Sequence, residues 1–263
     1  MSHYALILAA GKGSRLANSK VPKQFLPINN LPIVMHSLKV FHSCLPNCEL
    51  YLGLPSYYDS SLWEALCVKY NFTIKHKIYK GGDSRALSVL AGLKAVNNSI
   101  KKKQKDKINI VSIHDAARPF LDKGFIQSLV SPFKKKNIKA VLPVIGLRNS
   151  IIKKRTKHQY QSVDRSEFLL CQTPQCFEFD VIYKAYLTYI KSLQTSPYQT
   201  EILHDDFAVF MEYYMAKFKH LKSPSSMIKY TKGRDYNIKI TTELDYTLSE
   251  EIYNFLKVKN NHG

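Results

Sequence analysis

Acidic residues are scarce in this chain: 20 Asp and Glu stand against 39 Lys and Arg in 263 residues, a formal charge of +19. Such an excess attracts small polyphosphates, nucleic acid or an anionic membrane surface alike, and does not choose among them. Long apolar runs are lacking as well. No stretch approaches the ~20 apolar residues of a membrane span. Met1 to Leu8 has no basic leader and too short an apolar run for a signal peptide, so a cytoplasmic protein that does not enter membranes is expected. The five cysteines (Cys44, Cys48, Cys67, Cys171 and Cys176) are odd in number and fit no CxxC spacing, which argues against a zinc site and for reduced thiols. Two familiar nucleotide fingerprints are also missing. Gly11-Lys12-Gly13 does not continue into a Walker A loop, and Leu16 occupies the place of the third glycine of GxGxxG.

What is present is a regular alternation. Apolar runs at Tyr4–Leu8, Glu49–Leu54, Lys75–Tyr79, Ile108–Ile113 and Ala140–Val144 read as strands, and Tyr236–Thr241 as a further short one. Between and after them, apolar residues recur at helical spacing over Leu31–Phe41, Asp59–Tyr70, Asp83–Val96, Asp122–Phe133, Val181–Leu193, Asp205–Phe218 and Thr242–Val258. Trp63 falls within such a stripe and reads as core. This order predicts an α/β fold: a doubly wound, mostly parallel, Rossmann-like sheet with helices on both faces. Residues 145–171 break the pattern, alternate without helical period, and predict a β-hairpin arm that packs on a partner subunit. The whole chain is expected to be one domain, 1–263. The run Lys101-Lys102-Lys103-Gln104-Lys105 reads as a solvated loop.

In doubly wound sheets ligands sit beyond the carboxyl ends of the strands. Three unusual segments fall there: Leu8-Ala9-Ala10-Gly11-Lys12-Gly13-Ser14-Arg15, Gly81-Gly82-Asp83, and His114-Asp115. Small residues and glycines in the first let backbone N–H groups approach an anion, with Arg15 and Lys23 adding fixed positive charge. Asp115 suits either a Mg2+ ion against phosphate oxygens or the cap of the next turn. Together these favour substitution at phosphorus, with the protein positioning groups and stabilising developing charge.

The segments LAAGKGSR (8–15), PKQF (22–25), GGDSRALSV (81–89), HDAARPF (114–120), VDR (163–165), QTPQCF (172–177) and KGRDYNIKITT (232–242) recur in this order and spacing in a known family. The chain resembles the sugar- and polyol-phosphate cytidylyltransferases, most closely their 2-C-methyl-D-erythritol 4-phosphate group in non-mevalonate isoprenoid synthesis. The resemblance implies a sheet of the nucleotide-diphospho-sugar transferase type. It also implies transfer of a cytidylyl group from CTP to that polyol phosphate, with release of pyrophosphate. By the same resemblance, Ala9, Ala10, Gly11, Arg15, Lys23, Gly82, Asp83 and Ser88 would hold CTP. Arg15 and Lys23 would stabilise the transition state, and Asp115 would hold Mg2+ or another divalent cation. Arg118, Ser150, Arg165, Asp205 and Lys239 would meet the polyol phosphate, with Arg165 and Lys239 counted among the catalytic groups. Arg165 would come from the arm of the partner in a homodimer.

Two positions depart from the family pattern. Asn149-Ser150 replaces Asp-Thr and keeps the hydroxyl. Asp205 falls where a Thr is usual, unless the register shifts to His204, and a carboxylate beside a substrate phosphate would be repulsive. A ribitol 5-phosphate cytidylyltransferase is the rival on the same fold; Ala10, Ser88-Val89 and Ala117 weigh against it. A basic nucleic-acid-binding protein is the rival from another class, but no nucleic-acid module and no single basic stripe is present.

Overall fold

Strand β1 (Ser2–Leu8) is apolar at every inner position because it separates two cores: Tyr4 and Leu6 join one, Ala5 and Ile7 the other. Alternate residues of a strand point to opposite faces, so a strand covered on both sides needs no polar alternation. The computed structural model describes residues 1–11, 21–102, 108–135, 137–195, 205–218 and 224–261. After β1, a two-residue turn at Asn29 and Asn30 joins β2 (Pro27–Ile28) to β3 (Leu31–Pro32). Both asparagines have positive φ, 45° and 57°, as a tight hairpin turn requires. The chain continues through α1 (Ile33–Cys44), β4 (Glu49–Leu54), α2 (Ser60–Lys69), β5 (Lys77–Lys80), α3 (Arg85–Lys101), β6 (Asn109–Asp115), α4 (Lys123–Val130) and β7 (Ala140–Gly146). The hairpin β8 (Ile151–Lys154) and β9 (Tyr160–Val163) follows, then β10 (Leu169–Cys171), β11 (Gln175–Glu178), α5 (Phe179–Thr195), α6 (Asp206–Phe218), β12 (Ile228–Lys232) and α7 (Glu243–Asn261).

The expected doubly wound architecture is present. Parallel pairs β5–β4, β4–β1, β1–β6 and β7–β12 make up most of an eight-stranded sheet. Antiparallel β11 sits between β6 and β7. Val144 pairs with both Cys171 and Lys232, so β10 takes the same edge of β7 as β11, and β12 takes the other. Helices α3, α5 and α6 cover one face, around Leu90, Tyr186 and Phe210. Helices α1, α2 and α4 cover the other, around Phe41, Trp63 and Phe125, which places Trp63 in the core. Each such side chain contributes roughly 1.5–3 kcal/mol through burial.

Helix starts are set by side chains. Asp59, Ser84 and Asp122 accept from the backbone N–H groups of Ser61, Leu87 and Phe125, respectively. At α7, Thr242 Oγ1 accepts from Asp245 N–H at 3.2 Å while Asp245 Oδ2 accepts from Thr242 N–H at 2.8 Å, a reciprocal capping box.

Two expectations need correction. Residues 236–241 form no strand, because side chains from other loops take their carbonyls: Arg118 donates to Asn237 O at 2.7 Å and Lys23 to Ile240 O at 2.8 Å. The strand in this region is β12, which runs alongside β7. The projecting hairpin is also narrower than 145–171, since Ile145, Gly146 and β10 belong to the main sheet.

Candidate active site

The chain leaves β1 at Leu8 into residues with little side chain, and the buried amide of Gln24 fixes that turn. Gln24 Nε2 donates to Ala9 O at 2.6 Å and to Gly11 O at 3.0 Å, so both of its hydrogens are used. A second loop presses against the first from β5: a Cβ on Gly81 would run into Ala10 Cβ, and one on Gly82 would meet Leu87 Cβ at 2.5 Å. Glycine is therefore required at both positions by close approach. Ser88 closes this second loop, its hydroxyl accepting from Gly82 N–H at 3.1 Å and donating to Ser84 O at 2.9 Å.

Between the loops lies a cavity of about 620 Å³ at the carboxyl end of the sheet. It gathers Ala9, Ala10, Gly11, Lys23, Gly82, Asp83, Ser88, Asp115 and Lys239, nine of the expected residues, from five separate segments. Arg15 lies outside the described residues, as does His204. The others stand off the wall. Arg118 is part-buried, with Nη1 bound to Asn237 O and Nε enclosed without a hydrogen-bond partner. Ser150 and Arg165 are exposed at the base of the β8–β9 hairpin, where Arg165 Nη1 donates to Arg148 O. Asp205 is drawn to the start of α6. Its Oδ1 accepts from Ala208 N–H at 2.8 Å, a bond to the helix terminus that a carboxylate makes readily, and its Oδ2 accepts from Gln175 at 3.3 Å.

Electrostatics converge on Asp115. Burial alone would raise its pKa, but Arg85 and Lys239 outweigh burial and hold the carboxyl well below its usual range. Lys239 Nζ is 2.7 Å from Oδ2 and Arg85 Nη2 is 3.3 Å from Oδ1. The backbone N–H of Asp115 donates to Thr173 Oγ1 at 3.1 Å, while its carboxylate oxygens accept from the Lys239 and Arg85 side chains. Burial lowers the pKa of the neighbouring His114 as well, to about 4, which here favours the uncharged form. It stays neutral, linked to Thr173 Oγ1 at 3.0 Å and to Arg118 O at 3.0 Å.

Sequence reading missed several wall residues: Gln24, Arg85, Tyr57 and Thr241. Arg85 and Ser88 are three residues apart at the start of α3 and so face the same side, a spacing that would have flagged the arginine. Gln24 carried no such signal, because its role is to hold backbone carbonyls. Among the described residues no group of three or more His, Cys, Asp or Glu side chains could cage a metal.

The family model described as 2-C-methyl-D-erythritol 4-phosphate cytidylyltransferase matches residues 3–254. The enzyme of that name from Bacteroides fragilis is 32% identical over 257 residues, covering 96% of this chain and all of its own length. That from Porphyromonas gingivalis is 32% identical over 248 residues, covering 94% of this chain and 96% of its own. Among solved structures, the 4-diphosphocytidyl-2C-methyl-D-erythritol synthase of Anaerococcus prevotii superposes with a TM-score of 0.72 at 21% identity, covering 96% of this chain and 98% of its own. At that identity the superposition speaks for the fold alone.

Proposed function

Since the chain belongs to the 2-C-methyl-D-erythritol 4-phosphate cytidylyltransferase family and transfers a cytidylyl group from CTP to that polyol phosphate, we propose that the cavity between the first loop and the Gly81-Gly82 loop is where the transfer occurs. The observation that carries this reading is the gathering of nine expected residues from five segments around one opening. A basic nucleic-acid-binding protein gives no reason for that convergence.

In the proposed site the cytosine and ribose lie against Ala9, Ala10, Gly82, Asp83 and Ser88. Backbone groups there can read a pyrimidine edge, and Gly81 packs closely against Ala10 along that wall. Arg15, Lys23 and the Gly11 turn take the triphosphate. A phosphate oxygen of the polyol substrate attacks the α-phosphorus, a new P–O bond forms, and the bond to the β-phosphate breaks as pyrophosphate leaves. Lys23 and Arg15 stabilise the negative charge that grows on the α-phosphoryl oxygens, a kind of assistance worth about 3–4 kcal/mol per well-placed donor. Arg118 and Lys239 hold the attacking phosphate against the repulsion of the triphosphate.

The donor set suits a hard divalent cation such as Mg2+. Asp115 is a deprotonated carboxylate on the wall, and without a cage of protein ligands the remaining positions fall to phosphate oxygens and water, the usual manner for this ion. When bound, the cation neutralises triphosphate charge. Ser150 and Arg165 stand off their own cavity on an exposed hairpin, which supports a homodimer in which each arm completes the partner's site. The five unpaired cysteines support a reducing, cytoplasmic setting. Substitution of Lys23 by Ala tests the assignment: kcat falls by about a hundredfold or more with the fold intact, and an unimpaired variant would remove Lys23 from the chemistry.

A further inference from the structure

Arg85 stands between two carboxylates and favours one of them. Its Nη1 and Nη2 bind Asp206 Oδ1 and Oδ2 at 2.8 and 2.6 Å, a bidentate pair, whereas both its contacts to Asp115 Oδ1 are 3.3 Å. Asp206 is fully buried at the first turn of α6, and Tyr186 of α5 donates a 2.5 Å hydrogen bond to its Oδ1. Asp206 therefore has every oxygen committed and no route to the cavity. Asp115 is different: Oδ2 is engaged firmly by Lys239 and Oδ1 only loosely by Arg85.

Four charges thus form a row, Lys239–Asp115–Arg85–Asp206, and the inner acid competes with the wall acid for one guanidinium. We propose that Asp206 is a positioning residue: by holding Arg85 it keeps Asp115 Oδ1 available to the divalent cation that accompanies CTP. Without the inner carboxylate, Arg85 has only Asp115 to neutralise it and closes onto Oδ1, so Asp115 becomes clamped between two cations. This inference rests on the reading of Asp115 as the cation's ligand, which needs its own control. It assigns no contact with substrate to Asp206.

The test is Mn2+ binding to the full-length protein saturated with CTP, followed by electron paramagnetic resonance, with no turnover required. Asp206→Asn is expected to weaken Mn2+ binding by about tenfold, the order seen when outer partners of a metal ligand are lost. Adding Arg85→Gln to Asp206→Asn removes the clamp and is expected to return Mn2+ affinity to near that of the unaltered protein. A purely structural role would lower thermal stability in D206N without that recovery. Unchanged Mn2+ binding in D206N, or no recovery in R85Q/D206N, overturns the proposal. Should Asp115→Asn leave Mn2+ binding unaltered, the reading of Asp115 fails first, which separates the two. If D206N does not fold, the unaltered protein crystallised with CTP and Mn2+ decides: Arg85 is expected to stay on Asp206 while Oδ1 turns to the ion, and an Arg85 that has left Asp206 for the triphosphate contradicts it.

Discussion

Lys239 Nζ lies 2.7 Å from Asp115 Oδ2, although 124 residues separate the two in sequence. The pair ties the segment before α7 to the end of β6 across the cavity mouth. Each side chain carries the charge that its proposed ligand needs, and each neutralises the other until that ligand arrives.

Loss of the lysine therefore falls on one substrate. Lys239→Ala is expected to raise KM for the polyol phosphate by about tenfold or more, the scale of one charge-assisted hydrogen bond. KM for CTP is expected to change much less. Steady-state kinetics with each substrate varied in turn checks this, and equal effects on both would move Lys239 away from the polyol phosphate.

The Gln24 amide holds the first loop through two hydrogen bonds. Gln24→Leu keeps the volume and deletes both bonds, each worth about 1 kcal/mol. KM for CTP is expected to rise about tenfold, with the melting temperature lowered by a few degrees. A fall in stability with CTP affinity untouched would show that the loop keeps its shape without the amide.

Much of this was legible in the sequence, and the misses share a cause. Strand β1 and its loop announce themselves through a local apolar run followed by small residues, and Ser84, Asp122 and Thr242 mark helix starts by short-range hydrogen bonding. The segment 236–241 reads as a strand by pattern, yet its carbonyls are claimed by Lys23 and Arg118, more than a hundred residues away. No local pattern encodes that. Asp206 was visible only as a helix-start acid, because its partners Arg85 and Tyr186 come from two other helices.

Acid lability should follow His114. Its pKa falls from 6.5 in the unfolded chain to about 4 in the folded protein, where burial excludes the charged form. Between those values the unfolded chain binds a proton that the folded protein does not. Stability therefore declines as pH drops from ~6.5 to ~4, by roughly 3 kcal/mol from this group. Burial also lowers the pKa of His3, His36 and His76, which adds in the same direction. Asp115, with its pKa depressed, adds to the loss only below the ordinary carboxylate range. Urea midpoints across this window check the slope, and His114→Asn should flatten it; an equal slope in the variant would remove His114 as its source.

The arm makes a prediction about mixing. Arg165→Ala subunits combined with Lys23→Ala subunits should recover activity that neither has alone, since one site in a hybrid dimer would carry both residues. Absence of recovery after dissociation and reassociation would mean that each site is built from a single chain.

The central claim is that this cavity joins CTP to 2-C-methyl-D-erythritol 4-phosphate. Pyrophosphate release from CTP with a divalent cation, measured with that polyol phosphate and with ribitol 5-phosphate at equal concentrations, tests it most directly. The account predicts a higher kcat/KM with the methylerythritol phosphate and loss of release in Lys23→Ala. Faster release with ribitol 5-phosphate, or release that survives the Lys23→Ala change, would contradict it.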